Sequence, residues 1–273
     1  MLMNLVFFNG ELLEKNDIVI SSFYRAINYG DGFFESIKII NSIPINLSLH
    51  LNRIKHSLNV LHLTNKYISE DIIDHIQNLI KSNQILNGSL KINITRSGNG
   101  KYLPNNFTSN ILITTKTGFS YKQNNAISIC LFSDEYKSRG LLSSLKSSNS
   151  LLYILGTIYA KSKGFENALI LNDHNNVIEA TNSNIFIVKN NEISTPPIKD
   201  GCVDGVMRKW ITNNENIHIK SISINEIYDS EEIFVSNTIS GVTPVKKINN
   251  QDFDVFKNAK RLQHKIINSC SDL

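Results

Sequence analysis

The chain has 273 residues, enough for one large domain or two of ordinary size. With 41% hydrophobic and 19% charged residues its composition is globular, which excludes a disordered or fibrous chain. A net charge of +4 without any block of like charge argues against nucleic acid as the main partner, and no run of about 18 apolar residues is present to span a membrane.

Within Met1–Leu13 the single apolar patch, Leu5–Phe8, is too short for the core of a secretory signal and lacks a basic leader. Leu5–Phe8 reads as a strand, Asn9-Gly10 as a hairpin turn and Leu12–Ile20 as the returning arm. Phe33–Ile40 is a further strand, and Asn41–Pro44 carries a turn into Ile45-Asn46-Leu47. Leu47, Leu51, Ile54, Leu58 and Leu61 then recur at helical spacing and predict an amphipathic helix with those residues as its buried stripe. Ser69 is the candidate cap of a second helix, with Glu70 and Asp71 at its positive end and Ile72, Ile76, Leu79 and Ile80 inside.

Leu90, Ile92 and Ile94 alternate with polar residues as a half-buried strand should, Ser97–Asn106 is a glycine-bearing loop, and Ile111–Thr115 resumes the sheet. The polar stretch Thr117–Asn125 is the expected link between two lobes. Beyond it, Ala126–Phe132 is a strand, Leu151–Lys163 a helix stopped by Gly164, and strands near 168–172, 184–188, 192–195, 232–236 and 242–248 alternate with helices near 204–213 and 253–268. This is an α+β pattern in two lobes. Cys130, Cys202 and Cys270 are far apart, odd in number and without metal-type spacing, so they read as reduced structural thiols of a cytoplasmic protein, and no metal site is expected.

The segment from Leu145 to Arg208 carries the chemistry. Lys146 lies among serines ahead of a helix; alone it reads equally as a solvated loop charge. Glu179 stands between two apolar runs, where a carboxylate needs a cationic partner to offset desolvation. A helix starting near Gly205, after Thr195-Pro196-Pro197, would expose free N–H groups to an anion, although Asp204 as an ordinary cap explains the same letters. An amine for an aldehyde, an acid for a pyridine nitrogen and a phosphate cradle are what a pyridoxal 5′-phosphate (PLP) site requires.

Tyr24-Arg25-Ala26-Ile27-Asn28-Tyr29-Gly30-Asp31-Gly32-Phe33-Phe34-Glu35 and His50-Leu51-Asn52-Arg53-Ile54, followed in order by Lys146, Glu179, residues 201–208 and Ser236-Asn237-Thr238, resemble the motifs of the class IV (fold-type IV) PLP-dependent aminotransferases. That family includes branched-chain and D-amino-acid aminotransferases and 4-amino-4-deoxychorismate lyase. The resemblance implies a two-lobed, D-amino-acid aminotransferase-like fold: a smaller N-terminal α/β lobe (1–117), a linker (118–125) and a larger β-rich PLP-binding lobe (126–273). It implies that Lys146 holds the cofactor's aldehyde and moves the substrate's α-proton, and that Glu179 keeps the ring nitrogen protonated. Arg53, the N–H groups of Val206 and Met207 and the Thr238 hydroxyl would hold the phosphate. By its residues alone Arg53 falls off the apolar stripe and reads as a solvated flank of its helix. A small amino substrate and a homodimer are also implied.

Among family members, Asn149 three residues after Lys146, with no glycine or tyrosine beside it, resembles the D-amino-acid aminotransferase and lyase branches, and Asn237-Thr238-Ile239-Ser240-Gly241-Val242 resembles the lyase more than the branched-chain enzymes. Lys101 and Leu103 stand where D-amino-acid aminotransferases hold an arginine and a histidine for the substrate carboxylate; Arg96-Ser97-Gly98-Asn99-Gly100-Lys101-Tyr102 instead resembles the lyase's arginine-glycine-rich-arginine-x-tyrosine loop, with Lys101 in place of its second arginine. Phe34, Arg96, Lys101 and Asn237 are the candidate substrate contacts, though Lys101 pairs only as a point charge and reads also as a loop-tip lysine. The expected activity is 4-amino-4-deoxychorismate lyase, with an aminotransferase as the alternative. A non-catalytic relative would need to lack Lys146 or Glu179, and both are present.

Overall fold

Alternating side chains decide the first half of the molecule and a closed ring of strands decides the second. The computed structural model describes residues 4–18, 24–68 and 71–270, which fall into two compact units. The first holds the described residues up to Ser120 together with Lys146–Asn149; the second holds Tyr121–Leu145 and the described residues from Ser150 onward. The division falls between Ser120 and Tyr121, and Lys146–Asn149 cluster with the first unit rather than with the residues 126–273 among which the sequence reading placed them.

In the first unit β1 (Leu5–Phe8) and β2 (Glu11–Glu14) are joined by Asn9-Gly10, both at positive φ, 49° and 104°. The returning arm is shorter than expected because a 3₁₀ turn at Lys15–Asp17 ends it; Val19 and Ile20 lie outside the described residues. Next come α1 (Arg25–Tyr29), β3 (Gly32–Ile40), β4 (Ile43–Pro44), α2 (Leu47–Val60), α3 (Ile72–Ser82), β5 (Gly88–Arg96) and β6 (Ser109–Thr117). Asp71 is the N-cap of α3, and the proposed cap Ser69, with Glu70, lies outside the described residues. The six strands run in the order β2-β1-β6-β5-β3-β4, each pair antiparallel. Phe33, Ile37 and Ile39 of β3 join Leu90, Ile92 and Ile94 of β5 and Ile111 and Ile113 of β6 in one core with Ile54, Leu58, Ile76 and Leu79 of the helices. Each such side chain contributes about 1.5–3 kcal/mol on burial. Along the open edge of β3, Phe34 N–H donates to the Lys146 carbonyl (3.0 Å) and Ser148 N–H to that of Gly32 (2.9 Å).

The buried face of α2 differs from the expected stripe. His50, Arg53, Ile54, Ser57 and Leu58 are buried, whereas Leu47, Leu51 and Leu61 are only partly covered. The cause is an acid on the sheet: Glu35 shares the parity of Phe33, Ile37 and Ile39, so it points at α2 and turns that helix's polar residues inward. Arg53, read as a possible solvated flank, is 8% exposed.

The second unit runs β7 (Ile127–Lys137), α4 (Leu151–Ser162), β8 (Asn167–Asn172), β9 (Val177–Ala180), β10 (Ser183–Lys189), β11 (Glu192–Thr195), α5 (Val206–Asn214), β12 (Ile217–Ile219), α6 (Ile224–Tyr228), β13 (Glu232–Asn237), β14 (Gly241–Ile248), β15 (Gln251–Asp252) and α7 (Lys257–Ser269). Among these, β9, β12, β15 and α6 had no counterpart in the sequence reading, as α1 and β4, the latter within the expected turn 41–44, had none in the first unit; β7 also runs past Phe132 to Lys137. The order β10-β13-β14-β7-β8-β9 closes on itself because β9 pairs with both β8 and β10. Closure leaves these strands no open edge and encloses Ile129, Leu169, Leu171, Val177, Ile185, Ile187, Ile233, Val235 and Val245. Outside, α4 covers Cys130, Phe132, Ala168, Ile170 and Ile178.

One irregularity sets the direction of Glu179. Leu169 faces Ala180 and Ile170 faces Glu179, but Leu171 faces Val177, so Ile178 is an extra residue in β9. Strict alternation from Val177 would turn Glu179 into the ring's interior. The slip instead puts Val177 and Ala180 inside and Glu179 outside, on the face of Ile170.

Candidate active site

In the first unit the candidate residues gather on both faces of β3. On the helix side Glu35 receives a two-pronged contact from Arg53, Nε to Oε1 and Nη2 to Oε2, both 2.7 Å, and Nδ1 of His50 lies 2.6 Å from Oε2. Burial by itself would raise the Glu35 carboxyl, but the charge of Arg53 and hydrogen bonds from His50 and Arg53 outweigh it and hold it at about 2. Burial pushes the imidazole of His50 below its usual value against the pull of Glu35, so a neutral ring donates from Nδ1 to the acid. Its Nε2 is buried without a hydrogen-bond partner among the described residues. On the opposite face, Lys146 Nζ stands 4.5 Å from the centre of the Phe34 ring, and Lys91 stands 4.8 Å from the same ring.

Two of the expected substrate contacts in this unit are placed differently. Arg96 is tied into the fold: Nε donates to Asp31 (2.9 Å) and Nη2 to the Leu61 carbonyl (2.6 Å), while Arg25 donates to the same Asp31 oxygen at 2.8 Å. Lys101 is an exposed loop residue whose backbone carbonyl accepts from Arg25 at 2.7 Å. Arg96 and Asp31 are 65 residues apart and meet only through the β3–β5 pairing, so nothing in the sequence announces the pair.

In the second unit Glu179, Asn184 and Ser236 form a row across β9, β10 and β13 on one face. Glu179, 3% exposed, accepts at Oε1 from Lys137 Nζ (2.7 Å) and the Tyr153 hydroxyl (2.8 Å), and at Oε2 from the Val203 N–H (2.9 Å). The cationic partner that the sequence demanded for this acid is thus present in the chain itself. Burial first, and the Glu179 charge second, drive the Tyr153 phenol well above its usual value, so its hydroxyl keeps its proton and donates. Burial, with Glu179 adding to it, likewise pushes Cys202 up to about 12 and leaves it an inert thiol.

The segment after Cys202 is held against this row. The Asn184 amide donates to the Val203 carbonyl at 2.9 Å, and a Cβ on Gly205 would overlap Asn184 Oδ1, so any larger residue there would displace that side chain or the helix start. Gly205 is the N-cap of α5 and provides no side-chain cap. The N–H groups of Val206 and Met207 therefore have no intrahelical acceptor and lie at the positive end of the helix. Asp204, the alternative cap, precedes the cap position; its own N–H donates to the Ser144 carbonyl. On β13, Ser236 Oγ is buried without a partner among the described residues, Thr238 is buried with its carbonyl accepting from Tyr121, and Asn237 is locked in a turn through Ser183, Ile239 and Ser240.

Sequence reasoning missed Lys137, Tyr153, Asn184 and the Glu35–His50 contact. Only the last had a usable signal, an acid on the buried parity of an apolar strand, facing a histidine and an arginine three apart on the next helix.

A family model described as amino-transferase class IV matches residues 32–248. The D-alanine aminotransferase of Staphylococcus haemolyticus is 28% identical over 259 residues, covering 91% of this chain and 90% of that protein. The T.th. branched-chain amino acid aminotransferase complexed with N-(5′-phosphopyridoxyl)-L-glutamate superposes with a TM-score of 0.89 at 18% identity, over 99% of this chain and 95% of its own. The 4-amino-4-deoxychorismate lyase of Pseudomonas aeruginosa superposes with a TM-score of 0.83 at 22% identity, over 97% and 98%. At these identities the two structures speak for the fold.

Proposed function

The chain belongs to the class IV aminotransferase family and is a PLP-dependent enzyme of small amino substrates; from that premise we propose that it converts 4-amino-4-deoxychorismate to 4-aminobenzoate and pyruvate, a step towards folate. The residues present fit the cofactor. A carboxylate has about four lone-pair sites; three on Glu179 are taken, and the remaining one, on Oε2, suits a protonated ring nitrogen. The uncapped start of α5 suits a phosphate, and Arg53, held by Glu35, with Thr238, would complete the anion's contacts.

When bound, PLP supplies a sink for the electron pair left at the carbon carrying the substrate's amine. Lys146 would take the proton from that carbon, and Glu179, through the free site on Oε2, would hold a proton at the ring nitrogen. Phe34 lies under the lysine amine and shields it from water on one side. Absorbance tests the lysine: a band near roughly 410–430 nm should be lost in Lys146→Ala, and its persistence would rule the assignment out.

The observation that carries the lyase reading is the loop after β5. Arg96 is committed to Asp31 and Leu61, Lys101 is a single exposed cation, and Leu103 stands in place of a histidine, so the paired carboxylate clamp of a D-amino-acid aminotransferase is missing. Incubation with 4-amino-4-deoxychorismate alone should release pyruvate; turnover that strictly requires an added 2-oxo acid would overturn the reading. The likeness to D-alanine aminotransferase favours a second reading, transfer of an amine from an amino acid, for which D-alanine or leucine with 2-oxoglutarate is the assay.

We also propose a homodimer. Leu151, Ile154, Leu155 and Ile158 form an outward stripe on α4, 51–72% exposed, which is costly in a lone subunit. Sedimentation as a monomer at micromolar concentration would sink this. The cytoplasm, where thiols stay reduced, suits the three buried, unbridged cysteines. No helix among the described residues is long and apolar enough to cross a membrane.

A further inference from the structure

Glu179 receives three donors of unequal kind. The Tyr153 hydroxyl and the Val203 N–H are neutral, and Lys137 alone is charged. Lys137 stands at the end of β7 and Tyr153 in the first turn of α4, and their side chains also touch each other at 2.6 Å. The lysine and glutamate side chains are 13% and 4% exposed, so their attraction is little screened by water. A carboxylate buried to that degree without a cation takes up a proton.

Of these three donors to Glu179 among the described residues, Lys137 is the one cation. From β8 and β10 its cross-strand neighbours are Ile170 and Asn184. The 200–208 segment contributes Cys202, whose thiol stays protonated, with Asp200, Asp204 and Arg208; Arg208 donates from Nη2 to the Pro196 carbonyl and keeps a buried Nε without a partner among the described residues. We propose that Lys137 is a positioning residue, the standing counter-ion that presents Glu179 to the coenzyme as a bare carboxylate, so that a ring arriving unprotonated takes up one proton from solvent as it binds. The inference rests on the reading of Glu179 as the partner of the ring nitrogen. Without the Lys137 charge, Glu179 carries its own proton beforehand and hands it to the ring, and that uptake disappears.

The probe is pyridoxamine 5′-phosphate, which presents the same ring and phosphate but cannot react with Lys146. Its binding to the full-length apoprotein is followed by quenching of Trp210, the single tryptophan, on α5, between about pH 6.5 and 9. Wild-type affinity should fall about tenfold more per pH unit than that of Lys137→Gln, the signature of one linked proton. Lys137→Arg should restore the wild-type slope. A wild-type slope in folded Lys137→Gln, or a flattened one in folded Lys137→Arg, overturns the proposal; Lys137→Met is read in place of the glutamine variant if that does not fold. Glu179→Gln separates the two ideas. Unchanged affinity there overturns the ring-acid reading itself, whereas lost affinity there with an unchanged slope in Lys137→Gln overturns only the role given to Lys137.

Discussion

Of the glutamates buried among the described residues, Glu35 and Glu179 are treated differently by the molecule. Glu35 is gripped by a rigid guanidinium fork and an imidazole beneath α2, in an arrangement that fixes both oxygens. Glu179 is held by a point charge on a flexible stem, a hydroxyl and one backbone N–H, with a lone-pair site left on Oε2. The first carboxylate locks a helix to a sheet. The second is neutralised but still able to accept one more donor, which is what a binding site asks of an acid.

Breaking the first cluster should have the largest effect. Glu35→Ala leaves Arg53 buried without its counter-charge and should cost about 3–5 kcal/mol in urea unfolding; a loss below about 1 kcal/mol would mean that water reaches the cluster. The same acid predicts a pH profile. Its folded value, about 2, lies below the free value of 4.5, so its stabilisation is complete above pH 4.5 and is lost as pH falls towards 2. The loss should be on the order of 3 kcal/mol. Glu35→Gln should flatten that limb of the curve.

Smaller changes sharpen the contrast from the other side. Gly205→Ala pushes the start of α5 away from Asn184, and should lower stability by about 1–3 kcal/mol while weakening the hold on phosphate-bearing ligands. Unaltered binding of pyridoxamine 5′-phosphate in that variant would exclude the helix start as the cradle. Tyr153→Phe removes one neutral donor from Glu179 and leaves Lys137 in place. Coenzyme affinity should drop by about 0.5–1.5 kcal/mol, a few-fold, with the melting curve nearly unmoved.

Read alone, the letters determined whatever depends on neighbours along the chain. The period-two runs of β3, β5 and β6, the buried stripe of α3, the Asn9-Gly10 turn and the glycine start of α5 are local matters of side-chain parity and backbone freedom, and they were legible. The order and spacing of the family motifs were legible too, since chemistry at a fixed site constrains residue type. Tertiary structure decided the partners. Lys137 and Tyr153 meet Glu179 only because β7 and α4 bring them there from positions 42 and 26 residues away. His50 and Arg53 turn inward only because Glu35 waits on a strand, and one extra residue in β9 chooses which side of the ring Glu179 faces. A buried charge takes its direction from whatever satisfies it, and in both clusters that group is distant in sequence.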